Sequence, residues 1–297
     1  MRTISTFLIL VLIFLAPAVK AQEISYGFRV GLNFTKLDGP LETAADGTEV
    51  EEFRFTTGFH VGADVRFAFT DLIGIKTGLT FYQRGGEQRF DGDGFQFFIS
   101  DSGNRIKATG NRRLILDVTN SYLDIPLTAY YRFGEKIEVF GGGQISFLVG
   151  SVASGDLQFQ GQSAITNTEI DLESVLLDYN YFKDGTPNPE SLRQANNAIR
   201  FEADGNRISV PETITGYYDF GEKDKSIYNI LDVGLQAGIN FYLNRGLYFG
   251  AAINYGLLDA TRDTYDVSRV ESDDLEYIPR DDKDHHLTLQ FSLGFSF

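Results

Sequence analysis

The sequence predicts an all-β fold: an eight-stranded antiparallel up-and-down transmembrane β-barrel with long extracellular loops. Three observations predict it. Large apolar residues recur at every second position in eight separate runs. Short and long gaps alternate between those runs, and the polar positions within them hold many glycines and isolated charges. Successive side chains of a β-strand point to opposite faces, so each run is a strand with one apolar and one polar face.

In chain order, the first run sets Tyr26, Phe28, Val30, Leu32 and Phe34 against Gly27, Arg29, Gly31 and Asn33. The second alternates from Phe59 to Phe69, the third from Ile73 to Phe81, and the fourth from Leu123 to Phe133. A weaker fifth run spans about Ile137 to Val149, where "GGGQ" blurs the alternation. The sixth covers Leu231 to Phe241, the seventh Leu247 to Leu257, and the eighth Leu287 to the C-terminal Phe297. Runs two and three are joined by "TDL", four and five by "GEK", and six and seven by "LNRG". The other gaps, roughly 35–54, 85–113, 150–226 and 259–284, are long. Consecutive hairpins of an antiparallel sheet emerge on opposite sides, so the three short turns share one side with both termini and the four long gaps share the other. Outer-membrane barrels have this asymmetry.

The polar face decides which way the apolar face looks. A soluble barrel of the lipocalin kind turns apolar side chains inward and shows water a charged surface. Here Gly27, Gly31, Gly58, Gly62, Gly74, Gly78, Gly234, Gly238, Gly250, Gly256 and Gly294 crowd the polar face, with single charges of both signs between them. Small residues and ion pairs suit a cramped interior, which leaves the apolar face to lipid. Aromatics at the strand ends would form interfacial girdles.

At the N-terminus, Arg2 precedes the apolar run "FLILVLIFLAPAV", which has the length of a signal-peptide core. The expected cut follows Ala21, giving a cleaved signal peptide at 1–21 and a barrel domain at 22–297, with the third long loop at about 150–226. The chain has no cysteine, which excludes a disulfide framework and a thiolate metal site. Its net charge is −15, or −17 without Arg2 and Lys20, and nearly all of it falls in the four long gaps. A chain this acidic is not a nucleic-acid binder, which needs basic surface to displace counterions.

The segment "YLDIPL" at 122–127, followed by "AYYRF", resembles the "YLxIPL…Y" segment of the PorT-like outer-membrane β-barrel family, small porin-like barrels of Gram-negative bacteria. "YGFRVGLNF", "LDVGLQAGINFYL" and "YFGAAINYGLLD" are similar as well. The resemblance implies the fold, an outer-membrane location and, from the family's name-giving member, an accessory role in protein secretion. It implies no functional residue. The terminal Phe297 resembles the signal by which the barrel-assembly machinery recognises its clients.

Candidate chemistry starts with the inward-facing charges Arg29, His60, Asp64, Arg66, Lys76, Asp124, Arg132, Glu138 and Asp232. Eight strands enclose a space that side chains can fill, so these residues read as a lumenal charge network that plugs the barrel. A narrow porin-like channel is the alternative. An outer-leaflet lipid-modifying enzyme is a third reading, but His60 and Asp64 are about 13 Å apart along a strand, too far for a dyad. No catalytic, cofactor or metal residue is therefore assigned. "DGDGFQFFISD" at 91–101 opens like a calcium loop but lacks the Gly and Glu that an EF-hand requires. In the third loop, Asn188, Pro189 and Glu190 read as the start of a short helix, within a partly folded cap that includes Tyr179, Tyr181, Phe182, Tyr217 and Tyr218. The expected partners are outer-membrane lipid, the assembly machinery, and an extracellular or secretion-system protein met by the acidic loops.

Overall fold

A computed structural model of the chain describes residues 23–182, 198–215 and 226–297. The expected signal peptide, the expected helix start at Asn188 and the tyrosines Tyr217 and Tyr218 lie outside the described residues. The strands are β1 (Glu23–Asp38), β2 (Glu51–Arg54), β3 (Thr56–Ala68), β4 (Ile73–Ile99), β5 (Arg105–Phe133), β6 (Ile137–Ser163), β7 (Glu169–Asn180), β8 (Ala198–Ala203), β9 (Asn206–Pro211), β10 (Thr213–Ile214), β11 (Leu231–Tyr242), β12 (Leu247–Gly256), β13 (Val267–Asp273), β14 (Glu276–Pro279) and β15 (His285–Ser296).

Antiparallel pairing runs from β1 through β3, β4, β5, β6, β11, β12 and β15. β15 then pairs back to β1, with Gly27 opposite Ser296 and Asp38 opposite His285. Tyr26 N–H donates to the Phe297 carbonyl at 3.1 Å, which ties the C-terminus to β1 at the short-turn end. The alternating residues behave as the sequence predicts: Leu79, Leu127 and Leu293 are exposed, while their neighbours Thr80, Thr128 and Ser292 are buried.

Among the described residues, the long gaps 85–113 and 150–226 are largely strand rather than irregular loop. β4, β5 and β6 continue past the apolar belt. The 29 residues of β5 span about 95 Å at ~3.3 Å per residue, where a membrane strand takes only about 10 residues. Their outer halves, with β2, β7 and β10, form a second tier of sheet at the loop end. Its core gathers Phe90, Leu114, Leu116, Phe159, Leu172 and Ile208 with the hydrophobics around them. The hairpins β8–β9 and β13–β14 pair within themselves and complete this cap. "DGDGFQFFISD" is strand for most of its length, with Asp91 opposite Arg113 and Asp93 opposite Asn111.

The boundary between the tiers is written into the alternation. In the lower half of β5 the odd residues Ile125 and Leu127 are apolar and face outward, while the even residues Tyr122 and Asp124 are buried. In the upper half the even residues Leu114, Leu116 and Val118 are apolar and buried, although no parity change intervenes along β5. The same face of one strand thus passes from polar to apolar. That happens where the surroundings change from apolar outside and polar inside to water outside and a packed core inside. On β6 an extra residue at Val149 shifts the phase, since Ser121 opposes Gly150 but Tyr122 opposes Leu148. There the apolar residues stay odd, outward at Ile145 and Phe147, then inward at Leu157 and Phe159.

Candidate functional site

The buried polar side chains of the lower tier form a column from the short-turn end to the cap. At its base Glu138, fully buried on β6, is surrounded by cations. Lys76 Nζ donates to Oε1 at 2.8 Å, Arg66 and Arg132 donate to Oε2 at 3.3 and 3.2 Å, and Asn240 and Tyr242 donate at 2.8 and 3.2 Å. The register explains the convergence, because Glu138 stands opposite Arg132 on one side and Asn240 on the other, while Lys76 pairs with Arg66 across β3–β4. A buried charge is tolerable when paired and hydrogen-bonded in this way. The layer holds three cations and one carboxylate. Rings fill the remaining space: Lys76 lies 4.1 Å from the centroid of Phe140, and Arg66 5.5 Å from that of Tyr248.

Above it, Arg29 approaches Asp64 at 3.4 Å and donates to Thr80 at 3.0 Å. His60 does not reach an acid. Asn33 Nδ2 donates to the carbonyls of Phe59 and Gln83 at 3.0 and 2.9 Å, which turns its Oδ1 toward His60 Nδ1 at 2.7 Å. Nδ1 therefore carries the proton, and Nε2 accepts from Ser292 Oγ at 2.9 Å. Serine, imidazole and an orienting amide is the order of a nucleophile, its base and its support. All three are buried, however, and the cavity beside Ser292, about 10 Å³, has room for a single water and none for a substrate. The close approach depends on Gly31, where a Cβ would stand 2.6 Å from His60 Cε1.

At the top, Arg84 donates to Asp232 at 3.0 Å, to Ser146 at 3.1 Å and to Asp124. It lies 4.9 Å from the centroids of both Tyr82 and Tyr122. Tyr122 meets His286 at 3.2 Å. Every predicted network residue thus takes part in a polar contact inside the lower tier. Sequence reasoning missed Arg84, the centre of the top layer, although it shares the even parity of Lys76, Thr80 and Tyr82.

The cap carries a second polar centre that fastens the segment after β12 onto the segment after β1. Arg280 donates to Glu51 at 2.8 Å and to Asp282 at 2.5 Å and lies 3.9 Å from Asp266; Arg269 is 3.7 Å from Glu51. Glu42 accepts from the backbone N–H groups of Arg269 and Val270 at 2.9 and 3.1 Å. Carboxyls outnumber cations here. Burial, then a hydrogen bond with the Asp282 carboxyl, pushes Asp266 up to about 8 against the pull of Arg280. Burial and the Asp282 charge raise Asp284 to about 7.

No curated protein matches the sequence. The structure is similar to the attachment invasion locus protein Ail of Yersinia pestis, at 10% identity and a TM-score of 0.34, covering 93% of this chain and 99% of that one. It is also similar to OprG of Pseudomonas aeruginosa, at 10% identity and 0.33, covering 93% and 97%. The protease OmpT of Escherichia coli matches at 10% and 0.30, covering 92% and 96%. A family model described as an outer membrane protein beta-barrel domain matches residues 20–262, most of the chain. The tier of outward apolar strands around a buried polar column is the body such a domain needs, and the chain belongs to the outer membrane protein beta-barrel domain family.

Proposed function

We propose that this protein is an eight-stranded outer-membrane barrel, closed to solutes by its own side chains, that acts non-catalytically through its cap. Its role on this reading is structural, adhesive or secretion-accessory, the last in keeping with the PorT-like resemblance. The observation that carries it is the filled column: three layers centred on Glu138, Asp64 and Arg84 occupy the depth of the lower tier. Salt bridges and rings stand where a channel would need water. The Ser292, His60 and Asn33 relay lacks space for a substrate, which weighs against an enzyme. The cap, with its own core, is the part left to meet an extracellular or secretion-system protein. Planar-bilayer recording of the purified full chain tests the closed lumen. The expected result is no stable conductance; a reproducible, stable open pore refutes it.

A further inference from the structure

The cap sheet has two edges, and among the described residues only one of them is covered. On the β4 side, β2 pairs with Glu87–Phe90, Asp91 N–H donates to the Val50 carbonyl at 2.8 Å, and Ser100 bridges to Ile208 of β9. The β13 backbone packs against Gly94, which has no side chain to obstruct it. On the other side, β7 pairs with β6, with one bulge where Glu173 and Ser174 together face Gln158, and among the described residues its outer edge meets only Thr213 and Ile214 of β10, opposite Leu176 and Leu177. Residues 169–175 therefore show an open edge among the described residues. That stretch is well fixed from within, because Ile170, Leu172 and Val175 are buried in the cap core. An ordered strand with unpaired N–H and C=O groups is a template for another strand.

The side chains along the edge select the occupant. Glu169, Asp171 and Glu173 are exposed, and the β6 residues paired with the first two are Gln162 and Gln160, so no cation answers them there. A shallow cavity of about 270 Å³ on the same face is lined by Asp171, Glu173, Gln158 and Gln160, with Arg113 held near Asp91 at 3.8 Å. A second copy would bring the same three carboxylates against themselves, which is unfavourable across paired strands. We propose that residues 169–175 of β7 receive an extended, basic segment of a partner protein, which joins the cap sheet as an added strand. This rests on the cap being the contact region, and names the chemistry of what it contacts.

The test uses the purified full chain and three peptides of about eight residues: one alternating lysine with valine, one with glutamate for lysine, and an N-methylated lysine form that cannot pair on one edge. The lysine peptide should bind and photo-crosslink to β7, about tenfold tighter than the glutamate peptide, as three exposed ion pairs suggest. Raising salt should narrow the gap. Glu169→Lys, Asp171→Lys and Glu173→Lys together should reverse the preference. Equal affinity for the two charges, binding that survives N-methylation, crosslinks elsewhere, or disulfide dimers of Asp171→Cys as the main product each overturn the proposal. Labelling of Ile165→Cys at the exposed β6–β7 tip in intact cells tests separately whether the cap faces outward. Failure of that labelling refutes the underlying reading, whereas successful labelling without peptide binding refutes only the added strand.

Discussion

Replacing Glu138 by Gln keeps the side chain's shape and removes the one carboxylate that holds three cations at the base of the column. Glu138 is completely buried, and its nearest cation, Lys76 Nζ, is 2.8 Å away. At an effective dielectric of about 20 that pair alone is worth about 6 kcal/mol before desolvation. Arg66 and Arg132 add to it at 3.3 and 3.2 Å. Much of this attraction offsets the burial of the charges, so the expected net loss is that of breaking a buried pair from one side, about 3–5 kcal/mol. Equilibrium urea unfolding in detergent micelles, followed by the gel shift between folded and boiled forms, reads the loss directly. The double variant Lys76→Met, Glu138→Gln should recover part of it, because it buries one fewer unanswered cation. A loss below about 1 kcal/mol for Glu138→Gln, or a double variant less stable than the single, would refute the account of the plug.

Two further outcomes follow. The β13–β14 strap should loosen as pH rises, since Asp266 and Asp284 are held at about 8 and about 7 in the folded cap, against about 3.9 when free. Below about pH 4 both are protonated whether the strap is folded or open. From there upward the open form ionises first, so stability falls until about pH 7 to 8 and then levels off; amide exchange in residues 267–273 that is no faster at pH 8 than at pH 5, after correction for intrinsic rates, contradicts this. Deleting Phe297 should lower insertion into the outer membrane while leaving the folded barrel's urea midpoint nearly unchanged, because the residue is largely exposed and only its backbone is tied to Tyr26. Full-level insertion of the shortened chain would count against its role as an assembly signal.

The strands of the lower tier were legible because lipid on one face and a packed polar interior on the other impose a period of two. The inward network could be read from the same parity. Arg84 was lost because the apolar alternation of β4 fades after Phe81, although the polar parity continues to Arg84. The cap was hidden for a related reason. Leu114, Leu116 and Val118 alternate as clearly as Leu123, Ile125 and Leu127, but on the opposite parity, so the apolar pattern breaks where the strand only changes surroundings. The bulge at Val149 had no visible signal beyond a glycine after it. The Ser292, His60 and Asn33 relay joins three separate strands, and only the β1–β3 and β1–β15 registers bring them together.

The absence of cysteine from the whole chain makes single-cysteine scanning clean, and along β15 it tests the central claim directly. With a fluorophore at Leu289→Cys, Phe291→Cys or Leu293→Cys, lipids brominated on their acyl chains should quench strongly, because these side chains face outward. At Thr288→Cys, Gln290→Cys and Ser292→Cys, whose side chains face the polar column, quenching should be weak. Strong quenching at every second position is the predicted result; equal quenching at all six, or the inverse alternation, would contradict a barrel that turns its apolar face to lipid.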